Sequence, residues 1–308
     1  MRIGVALAER NGPDALERLI GDVRRAAEDG LASIWIPNGA GMDMLTALAV
    51  VGTRVPGIEL VPAVVPTYPR HPAALAQQAR TAAFALGPGR LTLGVGTSHK
   101  IVVENAYGYD FDRPVRHMQE YLSVLVPLLN GESVAFDGDT VRARIGLSVP
   151  NRERVPLLMA ALGPRMLKLA GERADGTVLW MTGPRTVRDH IVPTITAAAE
   201  SAGRPRPRVV CMLPVAVTDD AEGARKRAAE IFGPYGALPS YRAMMDREGA
   251  EGPADLAVVG DEQAVRATLD RLAAAGVTDF VAGEFMRGED RARTREFLKT
   301  FPERPARL

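Results

Sequence analysis

Residues 156–181 read PLLMAALGPRMLKLAGERADGTVLWM, and this stretch decides the architecture. PLLMAA (156–161) is a continuous apolar run of strand length, PRMLKLAGERAD (164–175) is helical, and GTVLWM (176–181) is apolar again. Neither strand alternates apolar with polar residues. Strands of that kind are buried on both faces, as parallel strands are when helical crossovers cover them.

The same unit recurs in both directions. Toward the N-terminus, 3–7, SIWIP (33–37), IELVPAVV (58–65) and LTLGVG (91–96) are strands. Helices separate them. In ALERLIGDVRRAAEDG, Leu16, Leu19, Ile20, Val23, Ala26 and Ala27 share a face and Gly30 is the stop; HPAALAQQARTAAFAL carries Pro72 in its first turn. Asp112 is expected to cap RPVRHMQEYLSVLVPLL. Toward the C-terminus, RVVCMLPVAVT and VTDFVAGEF are strands, and PRTVRDHIVPTITAAAESAG is a helix that Pro193 kinks. Residues 219 to about 276 read as one long helical region broken near Gly233-Pro234 and Gly252-Pro253, and EDRARTREFLKTF is the closing helix. One stretch departs from the alternation. SVAFDGDTVRAR has strand runs on either side of Asp137-Gly138, so 131–155 reads as a small β-hairpin insertion after the fourth βα unit. Eight strands each followed by helix predict an α/β fold, a (β/α)8 TIM barrel, with an open doubly wound sheet as the alternative. No Gly-, Ser- or Pro-rich linker divides the chain, so 1–308 is expected to be a single domain.

Composition narrows the function classes. The 38 Lys and Arg balance 37 Asp and Glu, which gives no electrostatic reason to expect nucleic acid as a partner. No run approaches the roughly 18 apolar residues of a membrane span. Cys211 is the only cysteine and lies in the apolar VVCML, so it is expected to be a buried, inert thiol in a cytoplasmic protein. His71, His99, His117 and His190 show no metal-ligand spacing, and no metal is expected. His117 is expected on a helix surface.

In a barrel of this kind, chemistry sits beyond the C-terminal ends of the strands. There GVGTSH (94–99) lacks the third glycine of a dinucleotide fingerprint and the Gly-Lys-Ser/Thr ending of a nucleotide loop. ALGPRMLKLAG (161–171) offers more: a glycine, a proline at a helix start and Arg165, which suit an anion or else make an ordinary strand-to-helix turn with a surface arginine.

Taken together, GRLTLGVGTSH (89–99), FDRPVRHMQEYLSVLVPLLNGE (111–132), PLLMAALGPRMLKLAGERADGTVLWMTGP (156–184) and VVGDEQAVRATLDRLAAAGVTDFV (258–281) resemble the bacterial luciferase-like superfamily of flavin and deazaflavin oxidoreductases. More closely, they resemble its actinobacterial branch, which uses the 8-hydroxy-5-deazaflavin coenzyme F420. The resemblance implies a luciferase-like TIM barrel and an oxidoreductase that moves a hydride between F420 and a small organic substrate. An FMN-dependent monooxygenase is the alternative, and a non-catalytic or degenerate barrel protein a further one.

By the same resemblance, Gly163, Pro164, Arg165 and Met166 would cradle the coenzyme phosphate. A non-proline cis peptide would lie near Pro62, Ala63 and Val64 behind the ring, and Thr97 would face it. His99 stands where sugar-phosphate-oxidising relatives carry a glutamate thought to act as an acid. It would donate a proton near neutral pH or hydrogen-bond the substrate or ring. Asn38 and Gly39 stand where those relatives carry an Asp-His pair, which argues against sugar-phosphate oxidation by that route. Trp180 would wall the pocket. Alanine- and leucine-rich helix faces allow the homodimer common in the family.

Overall fold

The structure is a computed structural model that describes residues 1–150 and 153–301. Residues 151, 152 and 302–308, which the expected insertion and the expected single domain also take in, lie outside the described residues. The strands are β1 (Arg2–Ala6), β2 (Ser33–Ile36), β3 (Glu59–Pro62), β4 (Val65–Pro66), β5 (Leu93–Gly96), β6 (Val134–Asp137), β7 (Arg142–Ile145), β8 (Leu157–Ala160), β9 (Gly176–Trp180), β10 (Arg208–Val217), β11 (Val258–Gly260) and β12 (Asp279–Glu284). All except β6 and β7 pair in parallel, in the order β3-β2-β1-β12-β10-β9-β8-β5-β4. A bridge between Leu60 and Leu91 joins β3 to the chain entering β5: Leu60 N–H donates to the Arg90 carbonyl at 2.8 Å, and Thr92 N–H to the Leu60 carbonyl at 3.2 Å. The sheet thereby curls into the expected barrel.

Four details differ from the sequence expectation. The third strand is split: β3 pairs with β2, and beyond the cis Ala63–Val64 peptide β4 pairs with β5. The region 219–276 is not wholly helical, because β11 adds to the upper half of β10. Two valines and a glycine between Ala257 and Asp261 are too few to show a period. Asp112 does not cap the helix Pro114–Leu129; its N-cap is Arg113, which makes no side-chain capping bond. The hairpin β6–β7 forms as expected, but Asp137 pairs with Arg142, so its turn spans four residues and not two. Pro193 follows a π-turn at Val187–Ile191, where its missing N–H leaves the helical ladder open.

The barrel interior is apolar above and charged below. Trp35, Val61, Leu158, Val178, Val210 and Val281 fill the middle, and Trp35 Nε1 donates to Ser33 Oγ at 2.8 Å. At the strand starts, Arg208 bonds Glu59 at 2.9 Å and Asp279 at 2.8 Å. Arg2 reaches the same carboxylates at 2.7 and 3.2 Å. Two arginines and two acids thus close the lower end, and the ends of the strands opposite are left to form a site.

Candidate active site

The corner where β3, β4 and β5 meet is built around its glycines. A Cβ on Gly94 would stand 2.3 Å from the Pro62 carbonyl oxygen, and one on Gly96 would stand 2.8 Å from Val64 Cγ2. Both glycines of GVG therefore exist to admit the folded-over Pro62, Ala63 and Val64 backbone, not to wrap a phosphate. Next along β4, buried Thr67 shares a 3.0 Å hydrogen bond with His117 Nε2, and Tyr68 stacks on the same imidazole with centroids 4.0 Å apart. His117 is thus half-buried at the mouth, not on the helix surface. Burial lowers its pKa to about 4, with Glu120 pulling the other way.

The loop leaving β5 carries Thr97, Ser98 and His99, all half-buried. Ser98 adopts φ of 61° and Met181, just past β9, φ of 52°. Left-handed backbone is uncommon for such residues and gathers at functional sites. The His99 ring makes no hydrogen bond among the described residues, and burial lowers its pKa below the usual 6.5. At neutral pH it is therefore an uncharged imidazole. It offers one N–H and one lone pair, and is a proton acceptor before it is a donor.

Two successive strand-to-helix turns repeat one motif, Gly163-Pro164-Arg165 after β8 and Gly183-Pro184-Arg185 after β9. Their helix starts are finished differently. The Glu248 carboxylate accepts the N–H groups of Arg185 at 3.1 Å and Thr186 at 2.7 Å, filling the second. The first has no side-chain cap, a Cβ on Gly163 would meet nothing within 4 Å, and Arg165 is exposed with no ion pair among the described residues. Arg165 and Met166 therefore present free backbone N–H groups into open space, the condition for receiving an anion. The anionic tail of a flavin or deazaflavin fits this arrangement.

Trp180 closes the far side, edge-on to Phe232 and to Tyr235 with centroids 5.8 Å away in each case. Its Nε1 is buried without a partner.

Residues 1–279 match the luciferase-like monooxygenase family. The chain belongs to that family. This luciferase-like enzyme is 28% identical over 237 residues to the 5,10-methylenetetrahydromethanopterin reductase of Methanolobus tindarius, covering 76% of this chain and 72% of that one. It is 28% identical over 285 residues to the F420-dependent glucose-6-phosphate dehydrogenase of Nakamurella multipartita, covering 86% and 80%. The structure of the coenzyme F420-dependent tetrahydromethanopterin reductase from Methanopyrus kandleri superposes with a TM-score of 0.82 at 21% identity, over 97% of both chains.

In the luciferase-like enzyme, Asn38 is drawn into its own loop. Its Oδ1 accepts the Met44 N–H at 3.0 Å, while the neighbouring Gly39 N–H donates to Glu9. A Cβ at Gly39 would stand 2.8 Å from Glu9 Oε1, the movable end of that side chain. Sequence reasoning missed four residues. His190 donates its Nε2–H to the Leu162 carbonyl at 2.8 Å and steadies the turn that carries Gly163. Tyr235 and Tyr241 come from the region read only as broken helix, and His117 was set aside. The available signal was PYGALPSY (234–241), two tyrosines within a helix break. Among the described residues, Glu104, Asp110 and Asp112 bring carboxylate oxygens within 4.8 Å of one another, with no histidine or cysteine among them.

Proposed function

We propose that this enzyme moves a hydride between coenzyme F420 and a small organic substrate. The observation that carries the reading is the uncapped helix start at Gly163, Pro164, Arg165 and Met166, on the same rim as His99. Its twin after β9 is already filled by Glu248. The F420-dependent relatives support the choice of coenzyme over FMN.

When bound, the coenzyme supplies a hydride-accepting and hydride-donating carbon; the chain supplies position and proton handling. Arg165 and the N–H groups of Arg165 and Met166 hold the anionic tail. Pro62, Ala63, Val64 and Thr97 would border the bound coenzyme, and Trp180 would exclude water from one side. Asn38, which accepts the Met44 N–H, would fix the loop after β2 on the same rim. Uncharged His99 accepts the hydroxyl proton as an alcohol loses its hydride. In the reverse direction the protonated ring returns that proton to the carbonyl oxygen.

Oxygen uptake separates this reading from FMN-dependent oxygenation. With reduced FMN, a substrate and air, the enzyme is expected to consume no oxygen beyond the free flavin's rate, whereas F420 is reduced or oxidised in step with substrate. Substrate-dependent oxygen uptake with FMN would overturn it.

A further inference from the structure

A row of rings crosses the mouth. His99 lies 5.4 Å from Tyr241, Tyr241 lies 5.5 Å from Tyr235, and Tyr235 lies 5.8 Å from Trp180. Phe232 then connects Trp180 to Phe285, each at 5.8 Å. Most contacts within the row are edge-on, so each engages the edge of one ring and a single face of the other. The Tyr235 and Tyr241 hydroxyls and the His99 nitrogens have no hydrogen-bond partner among the described residues, and neither hydroxyl is sealed from solvent. Burial raises both tyrosine pKa values, so the hydroxyls remain donors. The cations next in sequence to His99 and Tyr241 are committed elsewhere: Lys100 to Glu104 at 3.4 Å, and Arg242 to Asp246 at 2.8 Å and to the Ala250 and Glu251 carbonyls.

We propose that this row is the substrate's seat, and that the substrate is an uncharged molecule with a flat apolar body and one oxygen function, which the Tyr241 hydroxyl holds beside His99. The proposal rests on the hydride-transfer reading and adds the substrate class to it. Tyr241 is the specificity-determining residue. Its ring supplies a stacking face and its hydroxyl an oriented donor, and with Lys100 and Arg242 already paired this end of the row offers a phosphorylated sugar no cation of its own.

The test is calorimetric titration of the F420-loaded protein with acetophenone and with glucose 6-phosphate. Acetophenone is expected to bind at least about tenfold more tightly. Tyr241→Ala is expected to weaken it by about tenfold, and Tyr241→Phe, which keeps the ring, by a smaller factor, with F420 affinity unchanged in both. Tighter binding of glucose 6-phosphate, no binding of acetophenone, or Tyr241 variants that lose F420 and not acetophenone would overturn the proposal. F420 loading is read first from the coenzyme's own fluorescence. Its failure strikes the hydride-transfer reading, and the same acetophenone series on the coenzyme-free protein still decides the seat.

Discussion

Gly94, His99 and His117 do different work within one corner of the mouth. Gly94 gives way to a neighbouring backbone: with a Cβ placed 2.3 Å from the Pro62 carbonyl, Gly94→Ala must push two strands apart. Such overpacking costs about 1–3 kcal/mol, and denaturant unfolding is expected to show the loss. An unchanged midpoint would mean that the corner yields freely. His99→Ala is expected to lower kcat by at least about tenfold while F420 affinity stays the same, since proton transfer contributes and coenzyme binding does not use it. In the alcohol-oxidising direction, the wild-type rate should fall as pH drops through the lowered His99 pKa, below 6.5, and that limb should vanish in the variant. His117 bears on stability. Its folded pKa of about 4 lies below the unfolded 6.5, so between those values the unfolded chain binds a proton that the folded one refuses. Stability is complete above pH 6.5 and declines toward pH 4, by roughly 2 kcal/mol for a half-buried ring. His117→Gln should flatten that slope in urea titrations across the same range, whereas an identical slope would place its origin elsewhere.

At the scale of elements, the helix Pro239–Glu248 and the 3-10 turn Gly233–Ala237 carry Tyr241 and Tyr235 to the mouth, and Glu248 is their fastening. Its carboxylate accepts two helix-start N–H groups and packs where a Gly183 side chain would be. Charge-assisted bonds of this type contribute about 1.5–3 kcal/mol. Glu248→Ala should therefore raise hydrogen exchange across 233–248 ahead of the barrel strands; exchange that remains uniform would show that the segment is held by its rings alone. This is also where the sequence was least legible. The strands that read correctly are continuous apolar runs, whereas the three-residue β11 was read as part of a helical region. The roofing segment has no such period: Pro234 and Pro239 break it, and only the fold sets Tyr235 against Trp180 and Tyr241 against His99. The Gly163 turn was legible because a strand end, a glycine, a proline and an arginine are contiguous in the chain. His117 was not, because its partners Thr67 and Tyr68 lie fifty residues away in sequence. The split of the third strand likewise comes from neighbours, with β2 claiming Pro62 and β5 claiming Val65.

At the scale of the whole molecule, the barrel is closed below by charge and open above. Burial alone would raise the Glu59 pKa, but Arg208 and Arg2, with the Thr92 hydroxyl, outweigh it and hold the group at about 2. Since that lies under the unfolded 4.5, its contribution is full above pH 4.5 and is lost as pH falls toward 2. Glu59→Gln removes one acid from between two arginines and is expected to cost about 3–5 kcal/mol, read as a lowered unfolding midpoint. A neutral result would make the lattice dispensable to the fold. With the lower end sealed, ligands reach the barrel through its upper rim, and the account turns on what that rim holds. Fluorescence titration of the purified protein with F420 and with FMN tests this most directly. Saturable F420 binding tighter than FMN binding is expected, weakened about tenfold by Arg165→Ala. Tighter FMN binding, or no binding of either, would contradict it.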